Sequence, residues 1–227
     1  MKLRAFIPHY MPNGIVLTAY GLLACFKPSV KTVQNNAEWN SRLLGDMWRH
    51  LLVNESGFIE CQADWKDVRF GKKGVIAKSG CGIIATGNAL AALEKRDVGA
   101  SAMVELISVY ERRGAALGGK FGVSPRAIAR YFRELGYEVS LLHSRNPQKI
   151  NQLGQNSDAI IAVVYNDADD IMEQLHTVCV TKEKGNYFLH NAGGTSPDIG
   201  YNNLQEGLEH ISKKRVLPIA VIGIQSR

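Results

Sequence analysis

The sequence predicts an α+β domain in which helices come first and an antiparallel sheet follows. Three observations carry this. Apolar residues recur at spacings of three and four over residues 37–52, and further helical segments follow before the sheet. The run AIIAVVY at 159–165 is continuously apolar, the mark of a strand buried on both faces. HTVCVT at 176–181 and YFLHN at 187–191 flank a turn-forming segment at 182–186, which reads as a hairpin.

The elements follow in order. Residues 1–35 read as irregular or strand-like, because the β-branched and aromatic residues of GIVLTAYGLLACF (14–26) suit a strand. Residues 37–52 read as an amphipathic helix built on Trp39, Leu43, Leu44, Met47, Trp48 and Leu51, with Asn35 or Asn36 as cap. Residues 58–77 are loop-rich. Residues 83–95 form a helix apolar on nearly all sides, which predicts burial, and 101–112 form another. Ser124-Pro125 starts a helix, with Ser as N-cap and Pro at the first position, and Gly136 stops it. A short strand at 138–142 and a helix from Asn146-Pro147 to about Leu153 lead into the sheet. A helix at 203–213 and a last strand at 216–224 close the chain.

The chain has 227 residues, with 45% apolar and 21% charged residues, enough to bury a core without disulfide staples. The formal charge is +6, but the basic residues are scattered and not interleaved with aromatics. They read as a solvated surface, and no nucleic-acid partner is expected. Cys25, Cys61, Cys81 and Cys179 form no CxxC pair, which argues against a zinc ribbon or a thioredoxin-type motif. GAALGGK at 114–120 nearly matches a phosphate-binding loop. It lacks the following Ser or Thr and comes after a helix, so it is set aside. The 13-residue apolar run at 14–26 is too short to span a bilayer and has the length of a signal-peptide core. Leu22-Leu23-Ala24-Cys25 also looks like a weak lipoprotein-type box, while Pro8, His9, Pro12 and Asn13 spoil the region before it. Membrane association would follow only if this run were an export or lipid signal. Localisation and oligomeric state are not legible.

Chemistry concentrates at KSGCGIIATGNAL (78–90). A thiol nucleophile needs its thiolate, and a helix N-terminus and a nearby imidazole both favour it. Cys81 heads the buried helix, and Gly80 and Gly82 leave open backbone beside the sulfur for a substrate carbonyl. His176 opens the first strand of the hairpin. Folding the hairpin brings Asn191 beside His176 at one end of the sheet, with His190 directed to the other face. A base oriented by a third group completes the arrangement.

GCG followed by an apolar helix, HTVCVT, NYFLHN and the approach CQADWKDVRFGKKGVIAKSGCG together resemble papain-like cysteine peptidases. The likeness is to the bacterial bacteriocin-processing type, which cleaves double-glycine leaders, and to its wider relatives. The resemblance covers about residues 61–191. It implies a papain-like fold at 56–227, with 1–55 as an N-terminal extension: a signal, a pro-segment or added structure. It implies Cys81 as nucleophile, His176 as general acid/base, Asn191 as its orienting group and Gln62 as oxyanion-hole side chain. Trp65 would be a cleft wall. The partner would be a peptide or protein substrate, with no cofactor and no metal. The chain departs from the pattern at Val75, six residues before Cys81 where many relatives carry the Gln. It departs again at Ile83-Ile84 and at Ala192. The departures after GCG keep open an inactive papain-fold binding module, and a papain-fold acyl transferase, which sends the thioester to an amine or thiol instead of water, is a third reading.

Overall fold

The structure is a computed structural model that describes residues 8–48, 53–170, 175–193, 196–211 and 217–226. The basic start at 1–4, the expected helix end at 49–52 and the cluster Lys213 to Arg215 lie outside these residues.

The helices are α1 (Asn13–Leu23), α2 (Val30–Met47), α3 (Ile76–Ser79), α4 (Cys81–Glu94), α5 (Ala100–Arg113), α6 (Pro125–Glu134), α7 (Pro147–Gln155) and α8 (Leu204–Glu209). A two-stranded ribbon, β1 (Arg69–Phe70) and β2 (Gly74–Val75), precedes the cysteine. The main sheet holds β3 (Glu138–Leu142), β4 (Ala159–Tyr165), β5 (Leu175–Glu183), β6 (Asn186–His190), β7 (Gly200–Tyr201) and β8 (Pro218–Gln225). Its order is β3-β8-β4-β5-β6-β7, antiparallel throughout. The expected mixture of helices and an antiparallel sheet is therefore present.

Strand β4 is buried along its whole length because both faces of the sheet are covered. Ala159 and Ile161 belong to the core shared with α4, α5 and α6. Ile160, Ala162 and Val164 pack against Ile150 of α7 and Leu204 and Leu208 of α8. Helix α4 sits in the first of these layers with Ile83, Ile84, Ala85 and Ala89 fully buried. Each Ile so buried contributes roughly 1.5–3 kcal/mol, which fixes the helix that carries Cys81.

The apolar run at 14–26 is a helix, not the expected strand. Pro12 holds the N-cap position, and the buried Asn13 amide donates to the carbonyls of His143 and Pro218 at 3.0 and 2.9 Å. Val16 and Leu17 pack on Val163, Tyr165 and Ile219 at one end of the sheet. Tertiary packing thus overrides the β propensity of the run. Among the described residues, no helix is long and apolar enough to cross a membrane. The α2 cap is Ser29, whose hydroxyl accepts from Thr32 N at 3.1 Å, earlier than the asparagines expected to cap it. Ser124 holds the α6 N-cap position as expected, although its side chain makes no capping bond.

Asn36, one of the two cap candidates, has a different role in α2, which it shares with Asn40. Asn36 and Asn40 are buried and read the ribbon backbone. Asn40 exchanges two bonds with Arg69, and Asn36 donates to Gly71 O at 2.9 Å. Asn36 also donates to Glu111 of α5 at 2.6 Å, and the same Glu111 oxygen accepts Gly71 N at 2.7 Å. Helix α2 is therefore built into the layer that carries the cysteine. The other Glu111 oxygen is buried with no partner. Burial pushes this carboxyl up to about 7, against the pull of the Asn36 and Gly71 bonds.

The folded pKa lies above the unfolded one, so the fold holds this proton more tightly than the unfolded chain does. Stability from this group is complete below pH ~4.5 and declines as pH rises towards ~7. Glu111→Gln keeps an acceptor for both donors and removes the titration. The variant should gain on the order of 2 kcal/mol over the parent at pH 8 and little at pH 4.5. Chemical denaturation at the two pH values checks this, and an equal difference at both would contradict it.

Candidate active site

Cys81 is the first residue of α4, and the α4 ladder opens with Ile83 and Ile84 N–H both on Gly80 O, at 2.8 and 3.0 Å. The aligned N–H groups of this end favour negative charge at the sulfur. Helix α4 packs directly on β5, which brings the sulfur to His176 and Thr177. Burial pushes the Cys81 thiol up, but hydrogen bonding to His176, the His176 charge, and bonds from the Thr177 side chain and main chain outweigh it. The thiol lies below its usual range. For His176 burial works downward, while the Cys81 hydrogen bond and charge and the Asn191 bond prevail, so the imidazole lies above its usual range. Each partner thus favours the charged form of the other.

His176 Nε2 lies 2.7 Å from the main-chain oxygen of Asn191. A carbonyl can only accept, so Nε2 carries the hydrogen. That leaves Nδ1 to exchange a proton with the sulfur. The hairpin register makes this meeting possible: Cys179 pairs with His190, and Asn191 follows as the chain leaves β6. The predicted neighbours do meet, but through the backbone of Asn191. Asn191 is left-handed, with φ 58°, and buried. Asparagine tolerates this region better than most residues do.

The Asn191 side chain is engaged elsewhere. Its Oδ1 accepts Gln62 N at 2.9 Å, and its Nδ2 lies 3.4 Å from Gln62 Oε1. The Gln62 amide nitrogen donates to the carbonyls of Ile76 and Ala77 at 2.9 and 3.1 Å. Both amide hydrogens are directed at α3, just before Cys81. Gln62 therefore ties the Asn191 turn to the segment entering Cys81, and its amide points at backbone carbonyls instead of at an oxyanion.

Three other expected site residues take packing positions. Trp65 is fully buried, edge-on to Trp48 at 5.9 Å between ring centres, in the core and away from the cavity at Cys81. A Cβ on Gly80 would fall 2.6 Å from Ile76 Cγ2, and one on Gly82 would fall 3.1 Å from Val123 Cβ. Both glycines are needed for close packing beneath the sulfur. His190 is buried, with Nδ1 on Glu60 at 2.8 Å, Nε2 on the Thr181 hydroxyl at 2.8 Å and its ring stacked on Phe58. The other Glu60 oxygen accepts Asn191 N at 3.0 Å.

Sequence reasoning missed Thr177, Glu60 and α1. Thr177 follows the expected base, so its main-chain N–H was bound to lie near the sulfur. Glu60 adjoins Cys61-Gln62 without any motif of its own. Helix α1 lines a cavity of about 260 Å³ that reaches Cys81. The four cysteines are free: Cys25 and Cys61 exposed, Cys81 half-buried and Cys179 fully buried.

Compared with known proteins, the chain matches no family model and no curated protein sequence. The functional reading rests on the geometry of the site itself.

Proposed function

We propose that this chain is a papain-like cysteine hydrolase that cleaves an amide or peptide bond through a thioester. The observation that carries the proposal is the thiol of Cys81 at a helix N-terminus, paired with His176, whose far nitrogen is fixed by Asn191. Each partner favours the charged form of the other, so the pair is biased towards thiolate and imidazolium. The sulfur attacks the substrate carbonyl, and His176 delivers its proton to the leaving amine. Water, deprotonated by the same imidazole, then releases the acid. The Cys81 main-chain N–H precedes the helix ladder, so it supplies a donor for the oxyanion. An inactive binding module would have no use for a thiol and an imidazole that each favour the other's charged form, and this pairing favours turnover over the binding alternative.

The chain carries its own controls for a test. Iodoacetamide at neutral pH, followed by peptide mass mapping, should modify half-buried Cys81 at least ~10-fold faster than exposed Cys25 and Cys61. Cys179, whose thiol is pushed up by burial and then by the Glu60 charge, should stay unmodified. Modification of Cys81 no faster than of Cys25 would remove the nucleophile.

A further inference from the structure

A cavity opens beside Cys81, between α1 and the sheet. Val16, Ala19 and Leu23 of α1 line it together with Val163 and Leu175 of the sheet. Among the described residues that line it, Lys78 carries a charge and is itself exposed. The cavity holds about 260 Å³. Pockets that enclose drug-sized ligands run to ~300–1,000 Å³, so this one suits a single bulky side chain or a short alkyl chain.

Two hydrogen bonds staple α1 to the loop on the other side of the cavity. The Tyr20 hydroxyl donates to Phe121 O at 3.1 Å, and Leu117 N donates to Leu23 O at 2.8 Å. Phe121 and Val123 belong to the same lining. Residues 8–11 are anchored as well. Arg145 donates to the carbonyls of Pro8, His9 and Met11, and His9 meets Asp169 at 2.9 Å. Helix α1 is thus a fixed wall of the cavity, and the space beside the nucleophile ends against it. An extended peptide running past Cys81 on this side would meet α1.

We infer that the site takes a compact apolar acyl group, seated between α1 and the β4–β5 strands, with its carbonyl at Cys81. This rests on the hydrolase reading and narrows it. The Cys81 sulfur forms a bond to the acyl carbon, and the bond from that carbon to the leaving amine or alcohol breaks as His176 protonates the leaving group. Water then cleaves the thioester, giving the carboxylic acid and the free thiol. The same chemistry could come from a simple alkyl acyl group or from an apolar amino acid.

The test uses the full chain and two substrate series. One compares acetyl, hexanoyl and dodecanoyl p-nitrophenyl esters. The other compares leucyl and glycyl aminomethylcoumarin amides. The expected result is a kcat/KM at least ~10-fold higher for hexanoyl over acetyl, or for leucyl over glycyl, since each buried methylene adds driving force. The series with the larger preference names the source. Ala19 lies exposed on α1 where a larger side chain can be carried. Ala19→Trp, or Ala19→Phe if the first melts early, should bring that ratio down towards unity. Ile15→Gln on α1, outside the lining, should leave it in place. Equal rates across both series, with Cys81 still alkylated rapidly, would overturn the acyl seat and leave the hydrolase reading standing. If Cys81→Ala turns over the substrates as fast as the parent, the hydrolase reading falls and the acyl seat falls with it.

Discussion

Replacing His176 by alanine should slow alkylation of Cys81 at pH 7 by on the order of 100-fold. The physical reason is the balance at the sulfur. Burial alone raises the thiol, and the His176 bond and charge, together with the Thr177 bonds, reverse this. A nearby opposite charge typically moves a group by ~1–3 pKa units. Removing it leaves burial opposed by Thr177 and the helix end. The pH profile separates loss of charge from loss of fold. In the parent, reactivity should rise with pH through a thiol transition below the ordinary range. In the variant the rise should move to alkaline pH and reach a similar plateau once the thiolate forms. The same pair bounds turnover from both sides. Activity should fall below the depressed thiol pKa and above the raised imidazole pKa, where His176 loses its proton. A His176→Ala profile that superimposes on the parent would mean the imidazole does not govern the sulfur.

Much of this site was legible in the sequence because it depends on regular structure. A short continuous apolar run rich in β-branched residues, such as AIIAVVY, reads as a strand covered on both sides, and it is. The hairpin spacing brought His176 and Asn191 together, since register converts sequence distance into spatial distance. What could not be read depends on dihedral angles and on who packs against whom. Nothing in the letters NYFLHNA says that Asn191 turns left-handed and presents its carbonyl. Gln62 and Trp65 had the right residue types for a cleft, but their bonds and contacts run to α3 and to Trp48. The run at 14–26 had strand-forming residues and became a helix because Asn13 and the end of the sheet give it a seat. That seat placed residues outside the resemblance at the mouth of the cysteine.

The second large effect is expected at Asn191, and it distinguishes a main-chain from a side-chain orienting group. If the carbonyl orients His176, the backbone angle matters more than the amide. Asn191→Gly keeps the left-handed conformation accessible and removes the side chain. It loses the bond from Gln62 N, worth about 1 kcal/mol, so kcat/KM should fall no more than ~10-fold. Asn191→Val retains bulk, but its β-branched side chain strongly disfavours φ near 58°. It should swing the carbonyl away and lower kcat/KM by at least ~100-fold. The order expected is Asn, then Gly, then Ala, then Val, following left-handed tolerance and not hydrogen-bonding capacity. Asn191→Asp keeps much of that tolerance and offers Gln62 N the same kind of acceptor, so it should fall near the glycine variant. An amide-based triad predicts otherwise, with Gly, Ala and Val equally disabled because none has a side-chain oxygen. The Cys81 alkylation profile provides a readout besides turnover. The Nε2 hydrogen bond helps hold His176 protonated, so Asn191→Val should shift the thiolate transition upward and Asn191→Gly should leave it nearly in place. Equal shifts in both variants would return the orienting role to the side chain.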